Sequence, residues 1–289
     1  MDQRPAALPR DPTPFSHHGG QVGVLLVHGF CGTPGELRPL AERLADQGYS
    51  VEAPLLAGHG GSQEELAAVT WRDWVLSART ALEALRARCH MIAQVGFSMG
   101  GAITLYMAAP RPGTGARGAE QPLAGIVTLS ALTHLNSPLT VLLPIARHVM
   151  PYVYPLRRRN VDLTRPEVIE RLRDYIPDLR VDPSNAEQIA ALRRGVKVSV
   201  GAIYQLNSLL HQVRLRLANV EAPALLIQAT HDEQVSPTDV DRIYRSIGSR
   251  DKRVVRLERS GHMLLAGAER EAMIGHVATF VRRVAGNPG

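Results

Sequence analysis

The stretch from His90 to Gly101 limits the fold of this chain more than any other segment. His90 to Val95 reads as a short apolar strand, it runs without a linker into Gly96-Phe97-Ser98-Met99-Gly100-Gly101, and Ala102 to Ala109 continues with helical composition. A serine on so sharp a strand-to-helix turn is forced into a strained backbone conformation. Glycines two residues to either side, Gly96 and Gly100, let the flanking chain pass it without a clash, which makes the segment a nucleophile elbow. The G-x-S-x-G pattern alone is short enough to arise by accident, and its weight comes from the strand before it and the helix after it. The helix also turns its N-terminus toward the serine, where unpaired N–H groups and the positive dipole end favour developing negative charge.

The surrounding sequence supplies more units of the same kind. Val22 to Val27 is a continuous apolar run ending in His28-Gly29, as a buried strand of a parallel sheet does. Thr33-Pro34-Gly35-Glu36 then predicts a capping box with proline at the first helical position, followed by Leu37, Leu40 and Leu44 at helical spacing. Tyr49 to Leu56 reads as a second strand, followed by the loop Gly58-His59-Gly60-Gly61. Thr70 and Asp73 cap a helix through Trp74, Leu82 and Leu85. Pro110 to Pro122 is a Gly- and Pro-rich surface loop before the strand Gly125 to Leu129. This alternation predicts an α/β fold with a doubly wound, mostly parallel sheet.

From about Leu132 to Leu217 no strand-like run is evident and helix-start signals recur, with capping boxes expected at Thr164/Glu167 and Ser184/Glu187. The segment is read as a helical insertion, dividing the chain into a core of residues 1–131 and 218–289 and an insertion of residues 132–217. Strand and helix alternation resumes with Ala224 to Ala229, a helix from Ser236-Pro237, the strand Arg253 to Leu257 and an amphipathic helix from about Glu269 to Val284.

With 289 residues, of which 45% are hydrophobic, the chain can bury one sizeable core. The formal charge of +6 is almost all arginine, since lysine occurs only at Lys197 and Lys252. Apart from the run Arg157, Arg158, Arg159 the arginines are spread along helices, and no basic stripe with interleaved aromatics supports a nucleic-acid partner. Cys31 and Cys89 are too few for a disulfide scaffold and lack metal-ligand spacing, so free thiols and no bound metal are expected. Met1 to Phe15 holds no apolar run of the kind a secretory signal or membrane span needs, which points to the cytoplasm and against stable membrane insertion. Oligomeric state is left open by the sequence.

A serine hydroxyl is a poor nucleophile at neutral pH and needs a base to take its proton, a task suited to histidine. Of the eleven histidines, His262 follows a late strand through the short turn Arg259-Ser260-Gly261, placing it at the carboxyl end of the sheet, where ligands bind in such folds. His231 is a weaker alternative. His276 lies inside the last helix. The base in turn needs a carboxylate to fix its tautomer. Asp232, just past the strand Ala224 to Ala229, is the first choice and Glu233 its nearest rival. The chain order Ser, Asp, His is the one expected on this fold. Donors for a tetrahedral oxyanion are expected from the N–H groups of Met99, after the serine, and Phe30, after an early strand, with His28-Gly29 shaping that loop.

These residues resemble bacterial carboxylesterases and monoacylglycerol lipases of the α/β-hydrolase superfamily. The resemblance rests on His28-Gly29-Phe30-Cys31-Gly32-Thr33, Gly58-His59-Gly60, Thr70-x-x-Asp73-Trp74, the serine turn, His231-Asp232-Glu233-x-Val235-x-Pro237 and Ser260-Gly261-His262, in the family's order. It implies an α/β-hydrolase fold, Ser98, Asp232 and His262 as catalytic triad, Phe30 and Met99 as oxyanion hole, no cofactor, and a helical cap above an acyl pocket. The implied substrate is a small-molecule ester with an apolar acyl chain. Cys31 stands where relatives usually carry a small polar residue. Met263-Leu264-Leu265 stands where they commonly place an aspartate. The apolar run from Leu139 to Tyr154 is expected either to line the acyl pocket or to pack on the core, and its prolines disfavour docking on a membrane.

Overall fold

The computed structural model describes residues 11–110, 123–157, 161–173, 176 and 179–288. The loop expected at Pro110 to Pro122, beyond its first residue, and Arg158 and Arg159 of the arginine run lie outside the described residues, as do residues 1–10.

Among the described residues, strands β1 (Phe15–His17), β2 (Val22–Val27), β3 (Ser50–Ala53), β4 (Met91–Phe97), β5 (Gly125–Leu129), β8 (Ala224–Ala229) and β9 (Lys252–Leu257) form one sheet in the order β1-β3-β2-β4-β5-β8-β9. All neighbours pair in parallel except the edge pair β1 and β3. The helices are α1 (Arg38–Asp46), α2 (Gln63–Ala67), α3 (Trp71–Arg86), α4 (Met99–Ala108), α5 (Leu143–Val149), α6 (Pro166–Arg173), α7 (Ala186–Gly195), α8 (Val200–Arg214), α9 (Asp239–Ser246) and α10 (Arg270–Ala285).

Successive strand residues point to opposite faces, so the apolar runs of β2, β4, β5 and β8 feed two cores at once. Leu25, Val27, Ile92, Ile126 and Leu226 meet α3, α4, α8 and α9 on one face. Leu26, Val95, Val127 and Ile227 meet α1 and α10 on the other. The sheet is thus sandwiched between helical layers, and β2, β5 and β8 fall where the sequence puts them.

Local signals were displaced in several places. The turn Pro34–Leu37 is a 3-10 helix whose Thr33 hydroxyl makes no cap bond, because Glu36 reaches toward the Gly29 N–H instead, at 3.4 Å. Asn185, not Ser184, caps α7, and the Thr164 hydroxyl donates to Asp162 rather than capping α6. The expected box at Thr70 is realised in part: the Asp73 carboxylate accepts both the N–H and the hydroxyl of Thr70.

The segment between β5 and β8 contains, besides its helices, a short antiparallel ribbon of β6 (Tyr152–Val153) and β7 (Val198–Ser199) that sequence reading did not find. It has a small core of its own, centred on Leu156, Leu163, Ile169 and Ile189. α8 belongs to the main core through Ala202, Leu206, Leu209 and Val213. In the apolar run near α5, Leu139, Val141, Ile145 and Val149 are 63–77% exposed and so are not packed on the core. No described helix is long and apolar enough to cross a membrane.

Candidate active site

β4 delivers Phe97 to the carboxyl edge of the sheet and α4 begins at Met99, which leaves Ser98 to make the turn alone. Its backbone has φ +52° and ψ −117°, outside the right-handed and extended regions. The glycine spacing around it is dictated by backbone contacts. A Cβ on Gly96 would lie 2.1 Å from the Gly100 carbonyl oxygen, and one on Gly100 would lie 2.0 Å from the Val27 carbonyl oxygen. Any side chain at either position would collide with main chain that has nowhere to go.

His262 and Asp232 arrive on the loops after β9 and β8. His262 Nε2 lies 3.1 Å from Ser98 Oγ, and Nδ1 lies 3.0 and 2.9 Å from the two Asp232 carboxylate oxygens. All three residues are buried. The ionised carboxylate only accepts, so Nδ1 carries the proton and Nε2 offers its lone pair to the serine hydroxyl. Burial pushes Asp232 up, but the hydrogen bond and charge of His262, with the N–H groups of Val235 and Gln234, outweigh it and hold the carboxyl below its ordinary value. Glu233 and His231 are not drawn into this line; the His231 N–H donates to the Ser260 carbonyl and so ties the two loops together.

The loop after β2 is fixed by two neutral histidines. The Leu56 N–H donates to His28 Nε2 at 3.1 Å, so His28 Nδ1 carries the proton and donates to the Gly29 carbonyl at 2.9 Å. The Gly32 N–H donates to the same carbonyl. Because N–H and C=O of a trans peptide point in opposite directions, this anchors the Phe30 N–H facing away from the network. Burial, then the neighbouring His59, lowers His28 to about 3, against the bond to Gly29, and burial lowers His59 to about 4. The Phe30 side chain sits edge-on to His59 and Trp74, with centroids 6.4 and 6.1 Å away. Among the described residues neither the Phe30 nor the Met99 N–H donates to a protein acceptor. Met99 is the first residue of α4, so its N–H has no partner within the helix.

Three supporting residues escaped sequence reading. Gln228 Nε2 donates to Asp232 Oδ2 at 3.1 Å, and its signal was a lone amide in the otherwise apolar strand β8. Glu269 accepts the Ser260 hydroxyl and the Arg259 N–H, both at 2.8 Å, which braces the His262 loop. Glu36 braces the Phe30 loop so closely that a Cβ on Gly32 would lie 2.2 Å from its carboxylate. Met263, Leu264 and Leu265 are simply core. Among the described residues no group of three or more His, Cys, Asp or Glu is placed to hold a metal ion.

A serine, histidine and carboxylate in a hydrogen-bonded line on a mostly parallel sheet with flanking helices defines the class: a serine hydrolase of α/β-hydrolase architecture. The sequence profile of the family described as "Serine aminopeptidase, S33" matches residues 21–270, and the chain belongs to that family. It is 31% identical over 273 residues to the thermostable monoacylglycerol lipase of Bacillus sp. (strain H-257), covering 94% of this chain and 95% of that one. It is 26% identical over 274 residues to the carboxylesterase of Bacillus subtilis (strain 168), covering 94% and 97%. A solved structure from the metagenome-derived lipolytic enzymes LipS and LipT is similar with a TM-score of 0.75 at 28% identity, covering 96% of this chain and 99% of that one.

Proposed function

We propose that this hydrolase cleaves carboxylic esters of small or medium acyl chains, monoacylglycerols among them, with Ser98 as nucleophile, His262 as general base and Asp232 as the group that orients it. The observation that carries the reading is the unbroken line from Asp232 through His262 to Ser98 at hydrogen-bond distances. Ester hydrolysis as the reaction class is supported by family membership and by the relatives named as lipase and esterase.

In this reading Ser98 Oγ attacks the ester carbonyl carbon while His262 Nε2 takes the hydroxyl proton, and Asp232 stays ionised beside the imidazolium. The N–H groups of Phe30 and Met99, with the N-terminal end of α4, receive the oxyanion. The tetrahedral intermediate collapses, His262 passes its proton to the leaving alkoxide, and an acyl-Ser98 ester remains. Water, deprotonated by His262, attacks that ester and releases the acid. No step calls on a cofactor. Residues 132–217 act as a cap over the site, and the free thiols of Cys31 and Cys89 suit a cytoplasmic setting.

Ser98→Ala should lower turnover of p-nitrophenyl butyrate by roughly 10³ to 10⁶, and an organophosphonate should label Ser98. Undiminished activity in that variant, or an adduct mapped by mass spectrometry to another residue, would sink the assignment. An aminoacyl p-nitroanilide run in parallel separates ester from peptide hydrolysis, and faster cleavage of the anilide would overturn the ester preference.

A further inference from the structure

A second concavity of about 490 Å³ opens between the first half of α3, Tyr106 on α4 and Arg216 just beyond α8. None of its lining residues belongs to the Ser98, His262 and Asp232 line or to the Phe30 loop. Tyr106 on α4 is eight residues past Ser98, the residue that precedes this helix, roughly 12 Å along its axis.

The site has an apolar and a cationic half. Trp71 and Tyr106 meet edge to face with centroids 5.3 Å apart, and buried Val75 lies beside them. The Arg72 guanidinium lies 4.6 Å over the Trp71 ring and that of Arg216 lies 4.5 Å over the Tyr106 ring, with Arg79 as a third cation on the lining. The Asp73 carboxylate also lines the cavity, but the Thr70 N–H and hydroxyl engage it at 2.8 and 2.7 Å. A guanidinium stacked on a ring face keeps its N–H edge available for a planar oxyanion, which it holds by two parallel bonds. Among the described residues neither Arg72 nor Arg216 has an acidic partner. The volume falls within the range of small-molecule pockets.

We propose that this concavity binds an amphiphilic monocarboxylate, its head held by the guanidinium groups and its chain laid on Trp71, Tyr106 and Val75. Resting on the proposed ester hydrolysis, the inference makes the acid product of the catalytic centre the ligand of a second site.

The test titrates sodium octanoate calorimetrically into enzyme whose Ser98 has been blocked with an organophosphonate. One saturable site should remain. Arg72→Gln/Arg216→Gln should weaken it roughly tenfold or more, while Arg216→Lys, which keeps the charge and loses the fork, falls between. Without octanoate the double variant should hydrolyse p-nitrophenyl butyrate at the wild-type rate. Trp71 emission should change on binding and the change should vanish in Trp71→Phe. Octanol and inorganic phosphate, each carrying one half of the chemistry, should bind at least tenfold more weakly than octanoate. Equal binding by either, or octanoate binding unchanged in the double variant, overturns the proposal. Failure of the phosphonate to label Ser98 would instead count against the catalytic reading, and comparison of the unblocked wild type with the double variant would still decide this one.

Discussion

Asp232 is buried under opposing demands: burial disfavours its charge, yet the imidazole beside it needs that charge. The balance is held by donors, and Gln228 is the side-chain donor besides His262. A carboxyl depressed in the folded state contributes stability that is present above its unfolded value and lost as pH falls through the folded one. Gln228→Leu should therefore raise the Asp232 pKa, move the acid limb of the kcat/KM profile to higher pH, and cost about 1.5–3 kcal/mol in a urea titration at pH 7. An unmoved acid limb would show that Gln228 is inert at the site. Ser98, Gly96 and Gly100 were legible in the sequence because steric conflict over five residues is a local matter. Gln228, Glu36 and Glu269 were not, because what they brace is decided by loops that meet only in the folded chain.

At the scale of elements, the loop after β2 depends on His28 and His59 being neutral. Both have folded pKa values below the ordinary 6.5, at about 3 and about 4, so below pH 6.5 the unfolded chain binds protons that the folded chain refuses. Stability is complete above about 6.5. Each histidine then removes up to about 1.4 kcal/mol per pH unit as acid is added, until its folded value is reached. Urea midpoints between pH 7 and 5 should fall accordingly, and His59→Gln should make the fall shallower, whereas an unchanged slope would place the acid sensitivity elsewhere. The buried strands were readable because burial on both faces leaves an apolar run with no alternation. β1, β6 and β7, at two or three residues each, are too short for periodicity to register. The capping patterns at Thr33 and Ser184 failed for another reason: a cap is one candidate partner among several, and Glu36 and Asn185 found better geometry.

Across the whole molecule, the segment between β5 and β8 is held through α8 in the main core, and its β6–β7 ribbon is tied to α2 by a small clasp. Glu64 on α2 accepts the Tyr152 hydroxyl at 2.8 Å and Lys197 Nζ at 2.5 Å, and Gln63 accepts the Ser199 N–H at 3.0 Å. These groups sit at the surface, where such pairs add little to global stability. Glu64→Gln/Lys197→Met should leave Tm within error of wild type while changing the ratio of kcat/KM for decanoate and butyrate esters. A large fall in Tm with an unchanged ratio would make the clasp structural only. Sequence reading located this segment by its change of rhythm, but missed that α8 packs into the main core and that the residues around α5 stay exposed, because composition does not say which neighbour an apolar face will find.

Ser98 and His262 are 164 residues apart in the chain. On a ribosome adding about 5–20 residues per second, the serine turn is made roughly eight to thirty-three seconds before His262 is added. On the proposed mechanism the nascent polypeptide carries its serine without a proton acceptor throughout that interval, and a hydrolase still being translated should be inert. Synthesis as far as the loop after β9 is, on the same proposed mechanism, the arming step, and a fragment that stops short of His262 should show no esterase activity.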